Sequence, residues 1–296
     1  MEDTIIKSLT FTKSPTDPNE FYHSQEGISA SGLKKLKESP AHFMYEERKE
    51  TDAMRFGTMY HSFILEPDNF EKEYQVVDVG DRPNKKYGMA AKDNIAWLAT
   101  FANPVSSETY EQLKAMKKVL FRHPYAKSLL TNGEAEASYY CEVDIGAAKP
   151  LKVRLRPDNV KHKKRIVVDL KTAKDASVDG FKKDAANLNY HIQAAFYADM
   201  MELIMEEELG YEFFFVAQEK VKPYNFGIYQ ASPQFRSVGK YEWELLLMLY
   251  SWCLEHDKWP GYQIYTSNRF GIESLDLPPW KIKEMDYFPK SVDWLR

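Results

Sequence analysis

Arg156-Pro157-Asp158, ten further residues, and then Asp169-Leu170-Lys171 form the stretch on which the reading of this chain turns. Side chains on a strand alternate between faces, so residues two apart lie on the same side, about 7 Å from each other. In Arg165–Thr172, Ile166, Val168 and Leu170 therefore share one face, and Asp169 and Lys171 share the other. A carboxylate and an ammonium end up side by side near the end of an apolar strand. Leu151–Arg156 reads as the preceding strand, which makes the two halves neighbouring strands of a hairpin with an acid on each. One point of phase stays open. Asp158 falls in step with Lys152, Arg154 and Arg156, not with Leu151, Val153 and Leu155. Either the basic face carries the site, or Pro157 bends the strand and resets the phase.

Two carboxylates on adjacent strands suit a hard divalent cation. Mg²⁺ takes oxygen ligands at about 2.0–2.1 Å and keeps several waters. Held against a phosphodiester, such an ion polarises the phosphate and lowers the pKa of a bound water. Lys171 beside two acids stays protonated, which fits it to hold the attacking water and to offset charge growing on the phosphorus oxygens. Asp-Leu-Lys alone matches many solvated strands. Arg-Pro-Asp at the end of one strand and Asp-Leu-Lys at the end of the next is a much rarer pairing.

With these residues in place the chain resembles the PD-(D/E)XK nuclease superfamily. More closely, it is similar to the RecE-like (exonuclease VIII type) exodeoxyribonucleases of phages and prophages, relatives of the RecB nuclease domain. The likeness also rests on Ile28–Leu33 with Ser39–Phe43, on Phe56–Pro67, and on the run from Arg156 through Tyr197. It implies that His61, Asp158, Asp169 and the Leu170 backbone carbonyl ligate the metal, with Glu136 as candidate for a further acid. It implies that Lys171 is the catalytic lysine, and that Gln193 and Tyr197 form a helical Gln-x-x-x-Tyr element touching the scissile region or the DNA backbone. Gln193 and Tyr197, four apart, share a helix face. Without the resemblance, His61 in a mostly apolar helix would be a structural histidine.

The resemblance further implies a restriction-endonuclease-like α/β core, a central mixed sheet flanked by helices. The cofactor would be Mg²⁺, with Mn²⁺ suited to the same oxygens. The expected activity digests one strand of linear duplex DNA from its end, 5′ to 3′, and leaves a single strand for recombination by a RecT-like annealing partner. Such enzymes are implied to assemble as rings, with the tetramer as the candidate size. Two rivals remain: an endonuclease on the same core, and a DNA-end or protein-binding module that has the fold without turnover.

Composition sets outer bounds. The 296 residues are 44% hydrophobic and 14% aromatic, enough for a sizeable core, and show no low-complexity linker or internal repeat. One nuclease domain over residues 1–296 is expected, its core at about 28–230. The net charge of −4 argues against a general nucleic-acid coat. A local track remains open: Arg156, Lys161, Lys163 and Lys164 sit at or between the acidic strands and are candidates for phosphate contacts. Cys141 and Cys253, far apart, match neither zinc spacing nor a four-cysteine cluster. No leader and no apolar run of about 18 residues is visible, so a cytoplasmic protein is expected. A Gly-x-x-x-x-Gly-Lys-Ser/Thr loop is also absent from the sequence, which predicts action without ATP.

Along the chain, Ser29 or Ser31 caps a short helix, and Pro40 starts another. Phe56–Leu65 reads as the helix bearing His61. Ala137–Val143, Leu151–Arg156 and Arg165–Thr172 read as successive antiparallel strands. A long helix runs from Phe181 or Asn187 to about Glu207, with Leu188, Ile192, Phe196 and Met200 in the core. Trp243–His256 is an amphipathic helix whose Leu and Met residues are assigned to packing. The aromatic tail from Trp259 is a candidate subunit contact.

Overall fold

The computed structural model describes residues 4–15, 17–47, 49–206, 209–265 and 272–284. Its strands are β1 (Ser8–Ser14), β2 (Gln75–Val77), β3 (Pro104–Ser106), β4 (Glu134–Ala135), β5 (Ser138–Asp144), β6 (Leu151–Leu155), β7 (Asn159–Lys161), β8 (Ile166–Ala173), β9 (Glu212–Glu219) and β10 (Phe226–Gln230). The central sheet has the order β10-β9-β8-β7-β4 and is mixed: β8 and β9 are parallel, the other neighbours antiparallel. A second, antiparallel sheet has the order β1-β5-β6. The α/β architecture with a central mixed sheet flanked by helices is as the sequence reading expects.

The hairpin differs. β6 does not pair with β8. It pairs with β5 in the second sheet, and the short β7 partners β8, with Asn159 opposite Val168. Between them, Arg156-Pro157-Asp158 carries the chain from one sheet to the other. Pro157 has no N–H for a ladder. The Arg156 guanidinium turns inward, donating to Ser138 Oγ at 2.7–3.0 Å and to the Asp17 carbonyl at 2.6 Å over the Tyr22 ring. Pro157 therefore ends the strand, and Asp158 takes its direction from the crossing.

The helices are α1 (Asn19–Ser24), α2 (Ala30–Glu38), α3 (Pro40–Tyr45), α4 (Asp52–Leu65), α5 (Pro67–Glu73), α6 (Lys92–Leu98), α7 (Ser107–Phe121), α8 (Pro124–Leu130), α9 (Val178–Asn187), α10 (Tyr190–Met205), α11 (Pro233–His256) and α12 (Pro279–Glu284). Ser29 caps α2, and Ser39 caps α3 with Pro40 in its first turn. The expected long helix is two: Asn189, in the left-handed conformation at φ 52°, separates α9 from α10 and leaves Leu188 exposed. Asparagine tolerates this conformation better than most residues.

Period-2 patterning places the cores. Ile166, Val168 and Leu170 of β8, with Phe214 and Val216 of β9, pack against α4, α7 and α8. Val167, Phe213, Phe215 and Ala217 point the other way, toward α2, α10, α11 and the second sheet. A strand covered on both faces reads as a continuous apolar run, which makes Asp169 and Lys171 conspicuous. Among the described residues no helix is long and apolar enough to cross a membrane.

α10 and α11 meet at Gly239, where a Cβ would lie 2.0 Å from the His191 carbonyl oxygen. Gly to Ala inside a helix normally gains about 0.5–1 kcal/mol. Here the added methyl forces the two helices apart, so Gly239→Ala is expected to lower stability by about 1–3 kcal/mol in a urea titration. Unchanged or raised stability would contradict this packing.

Candidate metal centre and its lysine

Two crossings join the sheets, and each carries a carboxylate. Glu136 lies between β4 and β5; Asp158 lies between β6 and β7. The Glu136 N–H donates to the Asp158 carbonyl at 3.2 Å, which ties the crossings together. Glu136 has φ 50°, a left-handed conformation that costs a glutamate about 1 kcal/mol or more and persists because both flanking strands are paired. Asp158 Oδ2 accepts the Leu170 N–H at 2.6 Å. Since β7 stops short of this level, a carboxylate takes the place of a ladder partner. The N–H and C=O of one strand residue leave on the same edge, so the Leu170 carbonyl also faces the Asp158 side.

His61 arrives from α4. Thr51 caps this helix, and Tyr60, Phe63 and Ile64 seat it in the core. The buried Tyr60 hydroxyl donates to Gln218 Oε1, while Gln218 Nε2 donates to the carbonyls of Met116 (3.1 Å) and Tyr224 (3.0 Å). That network fixes the rotation of α4 one residue before the imidazole. His61 Nδ1 stands 3.5 Å from Asp158 Oδ2 and 3.6 Å from Glu136 Oε1. One donor atom from each of His61, Glu136 and Asp158 lies within 4.8 Å of the others.

Asp169 stands apart from this trio. Fully buried, it accepts from Gln193 Nε2 at 2.5 Å through Oδ1 and meets the Lys171 ammonium at 2.5 Å through Oδ2. Sharing a strand face with Lys171 thus gives Asp169 a cation of its own. Gln193 is held in turn by Lys34 of α2, whose ammonium donates to Gln193 Oε1 at 3.4 Å. Lys34 and Lys171 lie 5.4 and 5.3 Å from the centre of the Tyr190 ring. Tyr197, one turn along α10 from Gln193, is buried.

Electrostatics follow from burial. Desolvation lifts Asp169 to about 6, with Lys171 pulling down and Asp158 pushing up. Burial also raises Asp158, against the pull of His61 and Lys171. For Lys171, desolvation opposes the charge, but Asp169 and Asp158 outweigh it and raise its pKa. Desolvation likewise opposes charge on His61, and Asp158 and Glu136 override it, pushing the imidazole up to about 9. Burial foremost, with Tyr22 and the neighbouring acids, holds Tyr197 well above the usual tyrosine range. Its hydroxyl stays protonated and can donate. Lys34 is pushed down to about 8 by burial foremost and by Lys171, against the pull of Asp169.

The structure therefore gathers His61, Glu136, Asp158, Asp169, Leu170, Lys171, Gln193 and Tyr197 around one locus. It does not bring the basic residues there. Arg156 is spent internally, as described. Lys161 donates to the Thr131 carbonyl, and its strand position opposite Ile166 lies at the far end of the β7–β8 hairpin. Lys163 and Lys164 occupy the exposed turn beyond. Lys34 is a site residue that sequence reasoning missed. Its only signal is its place directly after Ile28–Leu33.

Residues 29–266 match a family described as a PDDEXK-like domain of unknown function (DUF3799). The chain belongs to that family. No curated protein matches. Among solved structures, the chain is similar to one described as a "putative exonuclease" from Eubacterium rectale. Identity is 16% and the TM-score 0.57, with 93% of this chain and 99% of that one covered. At that identity the likeness is one of fold.

Metal fit can be judged from the donors. Two carboxylates, an imidazole and a carbonyl edge offer mainly hard oxygen, which suits Mg²⁺ or Mn²⁺. Charge agrees. Glu136, Asp158 and Asp169 against Lys171 leave two negative charges, which a divalent ion with neutral His61 balances. Without metal, the His61 proton supplies part of that balance, so an ion must displace it. Calorimetric titration with Mn²⁺ at pH 7 is expected to release about one proton per ion, seen as a buffer-dependent heat. Affinity should rise from pH 7 toward 9, where His61 loses its proton unaided, and level off above. A buffer-independent heat with flat affinity would contradict His61 as a ligand.

Proposed function

We propose that this chain is a divalent-metal-dependent deoxyribonuclease that degrades one strand of linear duplex DNA from its end, 5′ to 3′ and without ATP. The observation that carries the proposal is the joining of the His61–Glu136–Asp158 group to a half-buried, charged lysine through β8. Family membership and the shared fold support the nuclease reading. The end-directed mode, the polarity, a role in recombination beside an annealing partner, and a cytoplasmic setting rest on the RecE-like resemblance.

His61, Asp158, Asp169 and the Leu170 carbonyl, with Glu136 as a further acid, would hold the metal, which when bound polarises the phosphate and acidifies a water. The chain's own groups do the rest. Lys171 keeps its proton and places a fixed positive charge beside the phosphorus oxygens, where water exclusion makes it count most. Asp169 sets the direction of that ammonium, and Gln193 sets Asp169. Tyr197 offers a hydroxyl on the same helix face.

A digestion assay tests the reading. Linear duplex DNA labelled at its 5′ or 3′ end, with closed circles alongside, is treated with Mg²⁺, Mn²⁺ or EDTA and no ATP. The expected outcome is metal-dependent loss of label from the 5′ end, intact circles, and an inert Asp169→Ala variant. Lys171→Ala is expected to fold and cut about 10²–10³-fold more slowly. Nicked circles would replace the exonuclease by an endonuclease, and no cutting by folded protein would overturn both.

A further inference from the structure

Positive charge at the centre is scarce, and one cation beside it is left without a counter-charge. α2 carries three lysines. Lys35 is paired with Glu46 at 2.6 Å, and Lys37 with Glu242 at 2.6 Å. Glu242 belongs to α11, which buries Trp243, Leu246 and Leu247 and, against the sequence expectation, leaves Leu245 and Met248 exposed. Lys34 forms an ion pair with no carboxylate of the described residues; Phe270, Tyr287, Phe288 and Trp294 lie outside them. Its acceptor is the neutral Gln193 Oε1 at 3.4 Å. Asp169 attracts it, but Asp169 is already held by Lys171 and Gln193. Charges taken out of water are normally paired. A neutral acceptor orients an ammonium without cancelling it, and an ammonium has three donors to give.

Lys34 and Lys171 flank the same Tyr190 ring, 5.4 and 5.3 Å from its centre. Their ammoniums are separated by at most the sum of these distances, a span of about three nucleotides at about 3.4 Å of rise each. The charge count points the same way. Glu136, Asp158 and Asp169 are balanced by Lys171 and a divalent ion, so Lys34 is surplus to the centre. Each nucleotide of a strand brings one negative phosphate. The other basic candidates are engaged or remote: Arg156 is turned onto Ser138 and Asp17, Lys161 onto Thr131, and Lys163 and Lys164 lie in the far turn. A net charge of −4 gives the chain no general attraction for DNA, so an uncancelled cation beside the site counts for more.

We propose that Lys34 binds a backbone phosphate of the strand being cut, within about three nucleotides of the scissile one. This contact rests on the nuclease reading of the centre. Lys171 and Lys34 divide the strand between them: the first faces the phosphate at the metal, the second a neighbour. Gln193 is bonded to Asp169 on one side and to Lys34 on the other, which ties the two contacts into one unit. A strand out of register with Lys34 is thereby out of register with Lys171. Phosphate contacts position a strand and carry no base preference, so the subsite takes any sequence.

Binding tests this without turnover. The anisotropy of a short labelled duplex is followed across a salt series in Ca²⁺, with the DNA recovered to show that it is uncut. The proteins are the full-length parent, Lys34→Met, Lys34→Arg and, as a control, Lys35→Met, each checked for folding by circular dichroism. Lys34→Met is expected to bind about 10-fold more weakly. Its slope of log affinity against log salt should be shallower by about 0.7–0.9. Lys34→Arg and Lys35→Met are expected to keep the parent slope. Duplexes with one neutral methylphosphonate linkage, moved along the strand, then locate the phosphate: one position should weaken the parent and leave Lys34→Met unaffected. An unchanged slope in Lys34→Met, or no linkage whose neutralisation weakens the parent more than the variant, would overturn the proposal. A parent that still cuts DNA in that case loses this contact alone. A parent that shows the contact but never cuts keeps the phosphate subsite and loses the nuclease reading.

Discussion

The hydrogen bond from the Leu170 N–H to Asp158 Oδ2 sets the register of the whole centre. It fastens the crossing between the sheets to the strand that carries Asp169 and Lys171. Without it, Asp158 would lose its fixed direction, and a buried N–H would lack a partner at a cost of about 1–3 kcal/mol. The other positions follow. Glu136 is tied to Asp158 through the backbone, α4 is rotated by Tyr60 on Gln218, and Asp169 is set by Gln193. Residues from four separate parts of the chain thereby meet near the end of β8, beyond the point where β7 stops.

Gathering three carboxylates in a dry place is unfavourable unless cations are built in. Lys171 answers Asp169 directly, at 2.5 Å. His61, between Glu136 and Asp158, answers the other two only while it holds a proton. This difference separates the centre into a permanent half and an exchangeable half. The lysine stays charged whether or not metal is bound, and the imidazole is the group whose charge a divalent ion can replace. Coupling metal entry to a proton in this way is a general property of sites whose ligands must be deprotonated.

Much of this was legible in the sequence, and the rest was hidden for identifiable reasons. The alternation in Ile166–Lys171 gave the two faces of β8 correctly, because strand periodicity is local. The partner of β8 was misassigned, because Leu151–Arg156 is as strand-like as a true neighbour. Only the inward turn of Arg156 and the missing Pro157 N–H divert it into another sheet. The break at Asn189 was invisible to a pattern in which apolar residues continue through Leu188. His61 and Glu136 were reachable through the resemblance alone, since their neighbours in the fold are remote in sequence. Lys34 had no signal of its own: it meets Gln193, 159 positions away, only because α2 packs beside α10.

The central claim is that a divalent ion sits between the two crossings, and locating that ion tests it most directly. A crystal of the full chain grown with Mn²⁺ and examined by anomalous scattering would place the metal without reference to activity. The account expects one strong peak within bonding distance of His61, Glu136, Asp158, Asp169 and the Leu170 carbonyl, with Lys171 still beside Asp169. A peak elsewhere, or none at a concentration that saturates the protein in solution, would contradict it.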